Sequence, residues 1–312
     1  MAYESTQVNI RLFQLSDADR LDFALHLRDR PESRIKHPDW RSRDGIRLDL
    51  PLLTDPDQGF ALVAEQDGAI TGFVGCSGPV RERTVARLQG PVVSPRARRM
   101  GIGTQLLQSV LEKIGRTYPV GCEAVIWADA ANIWARALLK KFEFRITFSE
   151  WFLQHGNDAA SPPVLSEGFR VRMTRDRGDV ESAYGIYRAT WQGRKSVDSF
   201  CADIRPEPNG ICLLESGEGT LAFFIVMARS NGNADIEYFA VRPDIRGKGF
   251  GKLFLHHALP VIRKEAGDRP VTLTVHTDNE PAIRLYEGAG FKKLYAMDCW
   301  QRDIGESFYS SK

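Results

Sequence analysis

Two stretches of the chain have the residue types and spacing to hold a phosphate. They read Val93-Ser-Pro95-Arg-Ala-Arg98-Arg-Met-Gly101-Ile-Gly103 and Val241-Arg-Pro243-Asp-Ile-Arg246-Gly-Lys-Gly249-Phe-Gly251. Corresponding residues lie 148 positions apart, from 93 to 241, 98 to 246 and 103 to 251, so one fold is expected to occur twice. Glycines let a backbone approach a ligand closely, and the first amides of a following helix point outward with the helix dipole behind them, which suits a pyrophosphate. Arg98, Arg246, Lys248 and Lys252 would add positive charge. Neither stretch ends in the Gly-Lys-Ser/Thr of a P-loop, and neither carries the three-glycine dinucleotide fingerprint in full.

The elements around each cradle are legible from periodicity. A β-rich run precedes it (86–93; 234–241), and an apolar helical pattern follows, Leu106, Leu107, Val110 and Ile114 in one copy and Leu253, Phe254, Ala258 and Val261 in the other. Each half opens with an alternating strand (8–12; 169–173) and then a helix with an acidic first turn, near Asp17 or Asp179. A hairpin over 60–75 turns at Asp67-Gly68, a type I′ signal, and a weaker counterpart spans 211–227 around Gly217 and Gly219. The layout is α/β with a mixed sheet, antiparallel at its start and parallel at the cradle. The stretch 154–168, rich in Gly, Pro, Ser and Asp, reads as a linker between halves 1–153 and 169–312, each long enough to bury its own core.

Composition narrows the class. A formal charge of +2 with 43% hydrophobic residues describes a soluble globular protein and lacks the charge excess of a dedicated nucleic-acid binder, although Arg81, Arg83, Arg87, Arg96, Arg98 and Arg99 cluster. No long uncharged apolar run and no signal-peptide profile occur, so the expectation is a cytoplasmic protein with no membrane partner. The five cysteines show no Cys-x-x-Cys or Cys-x-x-His pairing and are read as reduced, with Cys76 and Cys212 in the core. His256-His257 has no carboxylate at ligand spacing, so no metal is expected. No residue pattern sets an oligomeric state.

The pattern Val-x-Pro-x-x-Arg-x-x-Gly-x-Gly after a strand resembles the acyl-CoA pyrophosphate loop of the GNAT superfamily of N-acyltransferases. The second half also carries a stretch similar to that family's downstream motif, Asn279-Glu-Pro-Ala-Ile-Arg-Leu-Tyr286-Glu-Gly-Ala-Gly290-Phe291. The resemblance implies two tandem GNAT-like domains and acetyl-CoA as co-substrate. It assigns acyl-CoA to Phe239, Val241, Arg246, Gly247, Lys248, Gly249, Gly251, Lys252 and Asn279, and in the first half to Val93, Arg98, Gly101, Gly103 and Thr104. In the family a carboxylate on the cradle strand, or a water it holds, accepts the amine proton, and a tyrosine on the following helix protonates the leaving sulfur.

Asp235 and Glu237 stand at i and i+2 of the cradle strand and so project to one face. By resemblance Glu237 is the favoured base, Asp235 the alternate and Tyr286 the acid. Aligned on the cradles, the first half has Arg87 for Asp235 and Gln89 for Glu237; aligned on Asn132, it has Leu139 for Tyr286 and Glu143 for Gly290. Arg and Gln cannot accept a proton at neutral pH and Leu cannot donate one, so the first half is expected to be a degenerate copy that binds acyl-CoA without turnover or serves as a structural partner.

The expected activity is transfer of an acetyl group to a primary amine of a small-molecule acceptor by direct transfer in a ternary complex, with the chemistry in the second half. A non-catalytic acyl-CoA-binding or regulatory protein and a protein N-acetyltransferase remain as alternatives. The segment 184–195, with Tyr184, Tyr187, Trp191, Arg194 and Lys195, either faces an anionic or ring-bearing acceptor or forms the buried stripe of an amphipathic helix.

Overall fold

A computed structural model describes residues 8–21, 53–54, 59–78, 85–118, 121–156, 164–191, 195–204, 209–229 and 232–305. Arg81, Arg83, Arg194 and the middle of the 154–168 stretch lie outside them. The chain divides into two compact units, Met1–Glu150 with Ala296–Lys312, and Trp151–Tyr295.

In the first unit β1 (Asn9–Leu12), β2 (Gly59–Gln66), β3 (Ala69–Ser77) and β4 (Val85–Val93) pair antiparallel in that order, and β4 runs parallel to β5 (Glu123–Asp129). Asp67 and Gly68 have φ of 51° and 72°, the backbone a type I′ turn requires. Between β4 and β5 lies α1 (Ile102–Thr117), whose Leu106, Leu107, Val110, Leu111 and Ile114 are fully buried on the sheet. Each such side chain contributes roughly 1.5–3 kcal/mol. After β5 comes the short helix α2 (Ile133–Lys141) and then β6 (Arg145–His155).

The second half of the chain repeats the scheme with β7 (Arg170–Thr174), α3 (Arg177–Trp191), α4 (Val197–Ile204), β8 (Gly210–Ser216), β9 (Gly219–Ala228), β10 (Ala234–Val241), α5 (Phe250–Ala266), β11 (Val271–His276), α6 (Glu280–Gly288) and β12 (Phe291–Asp303). The repetition reaches single hydrogen bonds. Arg11 on β1 grips Asp17 with two guanidinium nitrogens at 2.7 and 2.9 Å and Glu65 with Nε at 2.7 Å. Arg172 on β7 grips Asp179 at 2.6 Å twice and Glu215 with Nε at 2.7 Å. Each fork ties an opening strand to the first helical turn and to the next strand, which is why both halves place an acid there. Asp17 itself stands in a 3-10 helix, Leu15–Leu21, rather than in the α-helix its counterpart begins.

The linker expectation needs correction. Gln154 and His155 are the last residues of β6, and the units divide at 150/151 and again at 295/296. The physical reason is an exchange of strands. The neighbour of β5 in the first unit is β12, with Met297 opposite Asp129 and Asp303 opposite Glu123, and Trp300, 1% exposed, completes that unit's core. The end of β6 belongs to the second unit, where Leu153 is fully buried. The last strand of each half, β6 or β12, is thus divided between the two units.

Candidate active site

Both cradle strands carry a bulge. On β10, Glu237 lies opposite Ile225 and Ala240 opposite Phe223, so Tyr238 and Phe239 share one place in the ladder, and Tyr238 takes φ 53°. The extra residue reverses the alternation. Ala234 and Ile236 before it, and Phe239 and Val241 after it, all join the core that contains α5, whereas Tyr238 and Ala240 join the cluster of α3 and α4. On β4 the equivalent place holds Gly90, φ 94°, and Pro91.

Past each bulge the cradle turns into its helix through a left-handed glycine, Gly249 at φ 87° before α5 and Gly101 at φ 79° before α1. A Cβ on Gly249 would meet nothing within 4 Å, so the backbone conformation rather than crowding calls for glycine, and the cradle faces open space, as a pyrophosphate site must. The arginines do more structural work than the sequence suggested. Arg246 donates from Nε to the Val241 carbonyl at 2.9 Å and from Nη2 to Thr190 Oγ1 at 2.7 Å, and Arg98 donates from Nε to the Val93 carbonyl at 3.3 Å. They brace the loop against its strand. Lys248 and Lys252 are exposed. Asn279 caps α6, its Oδ1 accepting from the Ala282 N–H at 3.2 Å, as Asn132 caps α2 at 2.9 Å. In the first unit Val93, Arg98, Gly101, Gly103 and Thr104 line a cleft of about 520 Å³ with Leu139 on its wall. At its lip Arg99 stands 4.6 Å from the centroid of the Trp134 ring, which is 58% exposed.

Asp235 and Glu237 share the face of β10 away from α5, as the alternation required. Arg229, at the end of the β9–β10 hairpin, pairs with both, with Nε 3.1 Å from Asp235 and Nη2 on Glu237. Asp235 also accepts from Thr272 Oγ1, its register partner on β11. Glu237 is the more open of the two, its side chain 33% exposed against 14%. Sequence reasoning missed Arg229 and Thr272. The alternation of Val271-Thr-Leu-Thr-Val275 held a signal for Thr272, since it sets both threonines on one face of β11.

Tyr286, on α6, is 7% exposed and meets Phe239 and Phe291 edge-on at 6.0 and 5.9 Å. Burial pushes its phenol up from the ordinary value of 10.0, so the hydroxyl holds its proton. Among the described residues nothing hydrogen-bonds to it. In the first unit Leu139, 1% exposed, takes its place, and Glu143 keeps the left-handed backbone of Gly290 at φ 60° against 93°. Tyr187 is 1% exposed and stacks with Tyr184 and Trp191 at 5.8 and 5.2 Å, packed on Phe200, the arrangement of a buried stripe. Lys195 lies 5.1 Å from the Tyr238 ring.

The profile of the Acetyltransferase (GNAT) family matches residues 22–144 and 180–291. The chain belongs to the GNAT family. Similar GNAT relatives include the mycothiol acetyltransferases of Clavibacter sepedonicus, 28% identical over 64% of this chain and 68% of that one, and of Actinosynnema mirum, 26% identical over 78% and 82%. Among solved structures, a tandem GNAT protein from the clavulanic acid biosynthesis pathway superposes with a TM-score of 0.74 at 17% identity, covering 96% of this chain and 99% of that one. A GCN5-related N-acetyltransferase from Sphaerobacter thermophilus gives 0.68 at 19%, with 98% of each covered. The protein is thus a tandem GNAT enzyme of the acetyl-CoA-dependent N-acetyltransferase kind, and the GNAT fold uses acetyl-CoA as co-substrate. Among the described residues no helix is long and apolar enough to cross a membrane, and no cluster of His, Cys, Asp and Glu could hold a metal ion. All five cysteines are buried, and none is in a disulfide.

Proposed function

We propose that the second unit transfers the acetyl group to the primary amine of a small molecule, in a complex that holds both substrates at once. Acetyl-CoA supplies the acyl group as a thioester. The cradle of Gly247, Gly249 and Gly251 with Lys248 and Lys252 holds its pyrophosphate, and backbone N–H groups of the bulged strand beside Phe239 and Val241 face the arm. Glu237 accepts the proton released by the attacking nitrogen, Asp235 and Arg229 fix its position, and Tyr286 gives its proton to the departing sulfur. The observation that carries this reading is the presence of both carboxylates and the buried phenol in one unit, where the other has Arg87, Gln89 and Leu139. The face bearing Asp235 and Glu237 suits a cationic amine, and the likeness to mycothiol acetyltransferases supports a small acceptor.

The first unit, in this reading, binds acyl-CoA without turning it over. Its cleft keeps the cradle, but Pro91 stands where the second unit has Phe239, and proline has no N–H to offer a carbonyl. Turnover of acetyl-CoA with a panel of small primary amines, measured as CoA release, tests the assignment in Glu237→Gln and Tyr286→Phe. Each is expected to lose about 10²-fold or more in kcat, and wild-type rates in both would overturn it. Isothermal titration with acetyl-CoA tests the division of labour. Two sites, one abolished by Gly101→Glu and the other by Gly249→Glu, are expected; a single site lost only in Gly249→Glu would make the first unit structural.

A further inference from the structure

The sheet of the first unit has a second cavity, on the face opposite α1. Strand alternation sends Ala86, Leu88, Ala124, Ile126 and Trp300 into the core under α1, so Arg87, Gln89, Trp127 and Gln301 must face the other way. There they line, with Ser77 and Phe148, a cavity of about 500 Å³, a size typical of small-ligand sites. The acyl-transfer chemistry uses none of these side chains.

Three features of the lining specify a ligand. Arg87 is exposed, and its guanidinium has no partner among the described residues. An unpaired guanidinium is a fork of donors shaped for a carboxylate. Gln89 is 8% exposed; its Nε2 donates to Ser77 Oγ at 3.1 Å, while its Oε1 is buried without a hydrogen bond. A buried acceptor left unmet costs stability, and a ligand N–H would relieve it. Gln301 likewise spends its Nε2 on Glu123, which leaves its Oε1 as a second acceptor. Trp127 and Phe148, edge-to-face at 5.2 Å, make an aromatic wall. The polarity is the reverse of the second unit, where Asp235 and Glu237 hold the positions of Arg87 and Gln89.

We infer that this cavity binds a small aromatic carboxylate bearing an N–H group, with the carboxylate on Arg87, the ring against Trp127 and Phe148, and the N–H toward the amide oxygens of Gln89 and Gln301. The site is independent of the acyl-transfer reading and takes an anion where the second unit takes an amine.

Hippurate carries the ring, the N–H and the carboxylate in one molecule and serves as the probe. Calorimetric titration of the full chain is expected to show saturable binding that persists in saturating CoA. Arg87→Gln should weaken it at least about tenfold, the loss expected of one charge-assisted contact, with no change in melting temperature because Arg87 is exposed and unpaired. Hippuramide, which lacks the negative charge, should bind wild type and Arg87→Gln equally weakly, and Phe148→Ala should weaken hippurate without abolishing the Arg87 effect. Absence of hippurate binding at about 10 mM, equal affinity in Arg87→Gln, or displacement by CoA would each overturn the proposal.

Discussion

Arg229 closes on Glu237 across the β9–β10 hairpin, and the Nε of the same guanidinium lies 3.1 Å from Asp235. One cation thus holds two carboxylates that would otherwise repel each other on a partly buried strand face. Arg229→Ala should destabilise the second unit by about 1–3 kcal/mol and lower the transfer rate, because Glu237 loses its anchor. Arg229→Lys keeps the charge but not the fork and should fall between the two. Urea melts read the first effect and steady-state CoA release the second. Undiminished kcat in Arg229→Ala would remove Glu237's positioning from the mechanism.

Tyr286 makes a prediction about pH. Burial raises its phenol, so the proton stays on the hydroxyl as pH rises through the ordinary assay range. Loss of rate on the alkaline side, below about pH 10, should therefore be the same in wild type and Tyr286→Phe, with the variant slower by about 10²-fold throughout and KM little changed. An alkaline limb present in wild type and absent in the variant would show that the phenol ionises and is not held as an acid.

His155 should make the second unit sensitive to acid. Its Nδ1 accepts from Arg263 Nη2 at 2.7 Å, and its Nε2–H donates to the Ala289 carbonyl at 2.9 Å, so the ring is fixed in its neutral form. Burial, and then the Arg263 charge, hold it below the ordinary value of 6.5. A depressed histidine refuses a proton that the unfolded chain accepts. The stability it contributes is therefore complete above pH 6.5 and is lost as pH falls from 6.5 toward the folded value. The loss is at most about 1.4 kcal/mol per pH unit. His256, lowered by burial and by Lys252, acts in the same sense, so the difference between wild type and His155→Gln in urea melts at pH 7.5 and 5.5 isolates one ring. Parallel losses in both proteins would exclude His155 as the source.

The exchanged strands predict where the chain can be cut. A fragment ending at residue 295 lacks Trp300 and the partner of β5, and should leave the first unit unfolded while the second keeps its core. A fragment starting at residue 169 lacks Leu153 and His155 and should fail to form a stable second unit. Amide exchange on both fragments checks this; a protected β4 and β5 in the 1–295 fragment would contradict it.

The cradles were legible because their backbone demands glycine at set positions, and Gly101 and Gly249 have the left-handed φ that demand implies. The carboxylate face followed from strand alternation, which holds up to the bulge at Tyr238. Arg229 was not legible, because it reaches Asp235 and Glu237 through the closing of a hairpin whose register no local pattern declares. The aromatic stripe at Tyr184, Tyr187 and Trp191 had the spacing of a buried helix face, and Tyr187 is buried. The strand exchange was invisible for a deeper reason. β6 and β12 carry similar apolar character, and which of them fills the gap beside β5 is a choice between two long-range pairings that the residues of either strand alone do not encode.

That choice has a consequence for birth on the ribosome. Domains ordinarily fold in the order they are made. Here every strand of the second unit is present once Tyr295 has emerged, whereas the first unit waits for the segment that begins at Ala296. The second half can close first, and the half synthesised first stays open, its β5 edge bare, until Asp303 has been added.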